Sequence, residues 1–477
     1  MTPLCDELLH DCPQDDRPRA RLGVVSVLRS IAADTPASLI DAVLLDLLIA
    51  DCDRRIAAQL DAVLHDPRVQ ALEATWRSLA LLIDRIDFDE NIRVEILHCR
   101  KQDLQDDFAE AAELPRSGLY QIVYARAIGT YGAHPYGLLC ADFDFGPGAE
   151  DVSLLRQCSA IAAMAHAPFI ANVDSTLFHL PDFTALPRLR DFAAALSGPR
   201  LRAWDGLRAT EDARYLGLCL PRVLLRPPHD LHADPRAPLP YRETVQHHRE
   251  LLWGRPSYVF AALAAGSFAR HRWCVHLLGS RAASDVLQLR WDYPSLPDLW
   301  HRVPLECLLT ARVEQALADG GLIGLVYERS SGCARLVSAA SLQRPRTVFT
   351  STDQERAALA GERLGAQLPY IFLVSRLAHY LKCVQRERIG TWSDRSALER
   401  ELELWLRQFV SDQDDAQWEV RARRPLRRAS VLVEEVAGQT GWYRCRLQLQ
   451  PHLTHNSASF TLSLFGKLDR PAAEGAA

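Results

Sequence analysis

The sequence predicts a mixed α/β and α+β chain of more than one domain, and three stretches carry that prediction. Leu138 to Val173 reads strand, helix, strand within about 35 residues, the length of a βαβ unit, so part of a central sheet is parallel. Leu368 to Val410 reads as two packed helices and the corner between them. Val431 to Val436, Trp442 to Gln450 and Ser459 to Phe465 read as a small antiparallel sheet at the C-terminal end, open at its edges to strand addition.

Composition excludes several classes of function. At 477 residues the chain can bury a large core, and its 48% hydrophobic and 24% charged content is that of a soluble globular protein. The 55 basic and 60 acidic residues leave a formal charge of −5, which gives nucleic acid no basic face to bind. Apolar runs are broken by His166 and Pro168 or by Arg270 to Arg272, so none of about 18 residues spans a membrane, and the acidic start MTPLCDELLHDC is no secretory signal. A cytoplasmic protein is expected. Among the 12 cysteines the closest pair, Cys5 and Cys12, is seven apart, so no C-x-x-C motif offers a zinc or redox site and the cysteines read as small hydrophobes.

In chain order, residues 1–60 read as a helical arm. It has an apolar patch at Leu4, Leu8 and Leu9, a polar segment from Pro13 to Arg21 and a helix from Ser38 to Ala50. Residues 61–367 form the α/β region and 368–477 a C-terminal domain. Ile56 to Ile83 gives two amphipathic helices split at Asp66-Pro67, where proline suits the first helical turn. Asn91 to Leu97 reads as a strand, Asp103 to Ala112 and Ser117 to Ile128 as helices, Leu138 to Phe143 as a buried strand, Val152 to Ala165 as a helix and Pro168 to Val173 as a strand. Tyr215 to Arg226 is a further buried strand, Pro227 to Tyr241 an irregular loop, Leu251 to Phe268 a helix, and Trp273-Cys274 the start of a strand. Pro304 to Ala318 reads as a helix carrying Glu306 and Glu314, with Asp319 just beyond, followed by a strand from Leu322 to Tyr327. Thr352 with Glu355 forms a candidate capping box.

In the helix pair, Ile371, Val374, Leu377, Leu381 and Val384 recur at helical spacing against Arg376, His379, Lys382 and Arg386, and Gly390 ends the helix. Ser396 and Glu399 make a capping box for the second helix, which buries Leu398, Leu402, Trp405 and Phe409. In the C-terminal sheet Tyr443, Cys445, Leu447 and Leu449 alternate with Arg444, Arg446, Gln448 and Gln450, and Phe460, Leu462 and Leu464 alternate with Thr461 and Ser463.

Enzyme chemistry has few footholds. The glycines from Gly129 to Gly137 precede a strand rather than a helix, so no helix N-terminus receives a phosphate. Asp142-Phe143-Asp144 has the D-x-D form that holds a divalent cation in some sugar-nucleotide transferases; two strand-ending aspartates before Gly146-Pro147-Gly148 account for it as well. His229, His232, His247 and His248 lie in or beside an irregular loop with no carboxylate or cysteine at regular spacing, so no metal or cofactor is expected.

Several runs resemble one family. They are Leu368-Pro369-Tyr370-Ile371, then Ser375-Arg376-Leu377-Ala378-His379-Tyr380-Leu381-Lys382, then Ile389-Gly390. Earlier in the chain come Leu64, His65, Pro67, Leu72, Glu73, Trp76, Arg77 and Leu79; Tyr131-Gly132 with Pro135-Tyr136-Gly137, Asp142 and Phe145; and Ala165 to Ala171. Tyr215 to Arg226, and Trp253, Gly254, Tyr258, Phe260, Ser267, Phe268, Trp273 and Cys274, extend the pattern. Together, from about residue 60 to residue 468, these resemble the large sheath subunit of type VI secretion systems, the TssC/VipB family, with Tyr131 where that family carries phenylalanine.

The resemblance implies a structural subunit without catalytic residues. It would pair with the small sheath subunit (TssB/VipA-like), polymerise helically with further copies of itself around the Hcp tube, and contract under control of the baseplate to propel tube and spike. Strand linkage between subunits would fall on Val431, Val433, Tyr443, Cys445, Leu447, Leu449, Phe460, Leu462 and Leu464. Glu306, Glu314 and Asp319 would face the tube, although a solvated helix face accounts for them equally. Leu4, Leu8 and Leu9 would supply the helix engaged by the AAA+ ATPase ClpV. The alternatives are a non-polymerising sheath-like adaptor and a D-x-D metal-dependent glycosyltransferase.

Overall fold

The computed structural model describes residues 17–34, 42–229, 241–279, 304–328, 333–345, 362–387, 395–411, 417–435, 443–452 and 462–467. It divides into two compact units, one of residues 1–70 with 228–250 and one of residues 71–227 with 251–477. In the first, α1 (Arg17–Asp34) and α2 (Ala42–Leu64) are helices. The expected polar segment to Arg21 is therefore helical from Arg17, and the two helices expected on either side of residues 51–55 are one. No proline or glycine interrupts Ala42 to Leu64, so nothing in that stretch breaks the backbone ladder. Asp61 ties the returning segment to α2 by accepting from Tyr241 Oη (2.6 Å) and Thr244 N (3.3 Å). His65 pairs with buried Glu243 at 3.2 Å.

α3 (Pro67–Asp84) leads into the second unit. Its sheet is assembled from β1 (Leu139–Phe145), β2 (Phe169–Val173), β3 (Leu216–Leu220), β6 (Ile323–Glu328) and β7 (Cys333–Leu336) in the order β1-β2-β3-β6-β7, the short β4 (Val223–Leu224) and β5 (Trp253–Gly254) pairing apart. β1, β2, β3 and β6 run parallel, and β7 returns antiparallel. The expected βαβ unit is β1, α5 and β2, with α4 (Lys101–Glu110) before it and α5 at Ala149–Ala165.

Every residue of β2 and β3 is buried, as central parallel strands covered on both faces require. Their side chains alternate between two layers. Phe169, Ala171, Val173, Leu216, Leu218 and Leu220 pack with Leu154, Leu155 and Ile161 of α5 and with Trp204 of α6 (Arg202–Arg208). Ile170 and Cys219 point the other way, toward Val259, Phe260 and Leu263 of α7 (Pro256–His271). Each fully buried Leu or Phe in these layers contributes about 1.5–3 kcal/mol.

α8 (Ala311–Asp319) is shorter than expected. The helix anticipated from Pro304 starts at Thr310, whose hydroxyl caps it, because the preceding residues run beside Arg222 to Leu224: Leu224 N donates to Pro304 O (2.8 Å) and Glu306 N to Arg222 O (3.0 Å). α9 (Leu368–Glu387) joins three clusters: Tyr370, Ile371 and Val374 enter the α5 layer, Leu368 and Phe372 the α7 layer, and Leu373 and Leu377 a third core.

That third core lies under α10 (Arg395–Arg407) and a three-stranded antiparallel sheet, which α11 (Trp418–Arg423) precedes. The sheet is formed by β8 (Leu426–Glu435), β9 (Tyr443–Pro451) and β10 (Leu462–Lys467), with β9 central. Since α10 begins at Arg395, Ser396 sits inside it rather than at its cap. Trp273 begins no strand; its ring packs edge-on to Phe409 at 5.1 Å and its Nε1 donates to Arg423 O at 3.1 Å. Thr352, Glu355 and Gly390 lie outside the described residues.

Candidate functional site

Asp142 and Asp144, two residues apart on β1, are where a D-x-D cation site would form. One guanidinium occupies both. Arg255, the residue before α7, donates from NH1 to Asp142 Oδ1 (2.9 Å) and pairs from NH2 with Asp144 Oδ2 (3.1 Å). Burial opposes the charge on Arg255, but the two aspartates outweigh it and hold its pKa above the ordinary value. Thr75 Oγ1 fills the other Asp142 oxygen at 2.6 Å, and Lys101 holds Asp144 O and Asp151. Next to this knot the Asn172 amide bonds Ala141 O and Phe143 O and accepts from Ser257 N, tying β1, β2 and the start of α7 together. The arrangement locks the sheet to a helix. No group of three or more His, Cys, Asp or Glu that could hold a metal occurs among the described residues.

The three acids expected to face a tube part company. Glu306 is buried, its carboxylate gripped in a fork by Arg222 Nε (2.7 Å) and NH2 (2.6 Å) while it accepts from Phe183 N at 3.1 Å. Burial disfavours the Arg222 cation, yet the Glu306 hydrogen bonds and charge raise its pKa. Glu314 is buried on the inward face of α8 and accepts from Ser338 Oγ. Glu314 is internal because the apolar face of α8 carries Val313 and Leu317 into the core and turns residue 314 with them, whereas Glu306 lies ahead of the helix and is held inside by Arg222. Asp319 alone is exposed, at the end of α8 beside Gln315 (3.0 Å).

In the C-terminal sheet, Val433, Cys445, Leu447 and Leu449 are buried against Leu402 and Leu406 of α10 and Leu373 and Leu377 of α9. Val431 packs partly on the same core, and Tyr443 pairs with Glu435. Val433, Cys445, Leu447 and Leu449 therefore anchor the sheet to the chain's own helices, and β8 and β10 are its outer strands among the described residues. β10 pairs with β9 from Leu462 opposite Leu449 to Lys467 opposite Arg444, which puts Leu464 opposite Leu447. Residues 409–411 cover the first part of β8, with Leu426 N donating to Phe409 O and Ser411 N to Leu426 O. Phe460 and the ATPase-helix candidates Leu4, Leu8 and Leu9 lie outside the described residues, as does His232.

One cluster was not singled out from the sequence. His379 and Lys382, expected on the wet side of α9, reach the last carbonyls of α5: His379 Nε2 to Ala165 O (2.6 Å) and Lys382 Nζ to Met164 O (2.9 Å). The C-terminal carbonyls of a helix attract such donors. His166, which ends α5 in the left-handed conformation (φ 52°), bonds Tyr215 Oη at 3.1 Å. The signal available was the Ala-His-Ala-Pro stop after an apolar helix, which leaves carbonyls to be satisfied.

Residues 46–343 match the family described as EvpB/VC_A0108, tail sheath N-terminal domain, and residues 357–468 match the tail sheath gpW/gp25-like domain of the same description. The chain is 30% identical over 462 residues to the type VI secretion system sheath protein TssC1 of Pseudomonas aeruginosa strain PAO1, covering 94% of this chain and 92% of that one. A solved structure of the anti-feeding prophage baseplate, 6-fold symmetrised, overlaps 82% of each chain at 10% identity and a TM-score of 0.32, a likeness too slight to add to these matches. Two sheath domains in order define a tail sheath protein. The chain belongs to the TssC/VipB family of type VI secretion contractile sheath subunits.

Proposed function

We propose that this chain pairs with a small sheath subunit of the TssB/VipA type, polymerises with it helically around a tube of Hcp, and contracts from the baseplate in the cytoplasm of a bacterium. The observation that carries this reading is the C-terminal sheet: its apolar face is closed on the chain's own helices while β8 and β10 stand on its outside. Outer strands can accept a strand from another subunit through backbone hydrogen bonds. The linkage therefore runs through the strand edges, with the buried side chains holding the sheet in register.

Asp319 is the one acid of the original three left to meet a tube, and Leu4, Leu8 and Leu9 remain the contact proposed for a ClpV-type ATPase. No helix among the described residues is long and apolar enough to cross a membrane. Contraction would move these interfaces between two discrete packings, with no bond made or broken in this chain.

The test is negative-stain electron microscopy of the chain alone and co-expressed with the small sheath subunit encoded beside it. Hollow tubules only on co-expression are expected. Discrete particles under both conditions would overturn polymerisation and favour an adaptor.

A further inference from the structure

Lys382 on α9 is half-buried, with Nζ donating to Met164 O at 2.9 Å, at the carbonyl end of α5, and standing 4.9 Å from the centre of the Tyr124 ring. It pairs with no carboxylate among the described residues. The groups around it are basic or neutral. His379, one turn earlier on α9, donates from Nε2 to Ala165 O (2.6 Å), and its ring lies 6.2 Å from that of His166 at the end of α5. Tyr215 bonds His166 Nδ1, and beyond it Arg214 and Asp212 act with opposite signs. Arg376, further back on α9, adds positive charge. Tyr124 comes from the π-helical turn Gln121–Arg126, an irregularity within a helical stretch that buries Leu119, Val123 and Ala127.

Lys101 shows what Lys382 lacks. It too bonds a carbonyl, Asp144 O at 2.8 Å, and faces a ring, Phe145 at 4.6 Å, but Asp151 Oδ1 stands 2.6 Å from its Nζ. An ammonium brings three N–H donors and a full charge out of water, and without a carboxylate a carbonyl, the weakly negative end of a helix and a ring face return only part of its hydration. A neutral amine asks for less. Burial accordingly pulls the Lys382 pKa down to about 8.

The contact joins the two sheath domains, since α5 falls in the stretch matched to the first and α9 in the stretch matched to the second. We propose that Lys382 is a proton-operated clamp at this joint, α9 seating more firmly on the end of α5 when the side chain sheds its proton. α9 also carries Leu373 and Leu377 into the core under the C-terminal sheet, so the clamp acts on the helix that supports that sheet. The unfolded chain holds this proton up to about pH 10.5 and the folded chain only to about pH 8, so between those values unfolding takes up a proton and stability gains with pH. The gain is complete above about pH 10.5 and absent below about pH 8.

Urea unfolding of the full chain and of Lys382→Met, at intervals from about pH 7 to about pH 10, tests the clamp. Titration of the buried cysteines and tyrosines is common to both proteins and cancels in the ratio of their folding constants. That ratio, wild type over variant, should change by less than about twofold from pH 7 to 8 and rise by about tenfold or more from pH 8 to 10. A ratio that stays level across the range overturns the proposal, because a merely structural side chain would cost the variant the same at every pH. Lys382→Arg decides the matter independently: it keeps a charge throughout this range, so its ratio should rise in the same way. An arginine variant that tracks wild type at every pH overturns the clamp. Both measurements read folding alone, so they stand or fall apart from tubule formation.

Discussion

At the scale of single residues, the spacing of Asp142 and Asp144 was visible in the sequence, but their use was not, because Arg255 enters from 113 and 111 positions away. A D-x-D motif says where two carboxylates stand and nothing about which cation reaches them. Arg255→Ala should leave both aspartates partly buried without their counter-charge and destabilise the fold by about 2–4 kcal/mol. The readout is the urea unfolding midpoint, and a midpoint unchanged from wild type would show the knot to be incidental. His166 and His379 carry a pH dependence. Burial, with Lys382 nearby, pulls the His166 pKa down to about 3, and burial likewise pulls His379 to about 4. Below pH about 6.5 the unfolded chain binds protons that the folded one refuses, so stability is intact above that pH. It then falls toward pH 4 by up to about 1.4 kcal/mol per pH unit for each imidazole. His379→Gln keeps a donor for Ala165 O and removes one of these titrations. Its unfolding free energy should therefore decline less steeply between pH 6 and 4, measured by denaturant titration at each pH.

At the scale of elements, periodicity found what local pattern determines and missed what distant partners decide. The βαβ unit, the two buried central strands and the α9–α10 pair were legible because each repeats its apolar residues at its own period. Pro304 to Thr310 has helix-compatible residues, yet it forms no helix because Arg222 to Leu224 offer it backbone partners; Thr310 as an N-cap residue was the available sign of the true start. Asn91 to Leu97 has the alternation of a strand but forms none among the described residues. The turn from α8 into β6 rests on Gly321, which has φ +74° and stands where a Cβ would lie 2.9 Å from Ser341 O and 3.0 Å from Leu342 O. Neither oxygen is free to move, being backbone in a segment that bonds Ala366 and Leu216. Gly321→Ala should cost about 2–4 kcal/mol from left-handed strain and the clash together. Thermal unfolding checks it, and a loss below about 1 kcal/mol would mean the turn can shift.

At the scale of the whole molecule, the order of matching motifs along the chain carried the family, while the edges that make a polymer cannot be read from one chain's pattern. Alternation in β9 showed which side chains are buried; it did not show that β9 is the central strand. That placement changes which variant tests assembly. Removing Trp442 to Phe465 would take away Cys445, Leu447 and Leu449 and with them part of the third core, so loss of polymers would be indistinguishable from loss of the fold. Ending the chain at residue 461 removes β10 and leaves β8 and β9 on α9 and α10. If copies are linked through the outer strands, that truncation should still co-purify with the small sheath subunit and keep a cooperative unfolding transition, yet form no tubules by electron microscopy. Tubules of normal length from the truncated chain would remove β10 from the linkage and leave the edges of β8 and of the newly bared β9 to be tested, since truncation exposes the β9 backbone groups that β10 had paired.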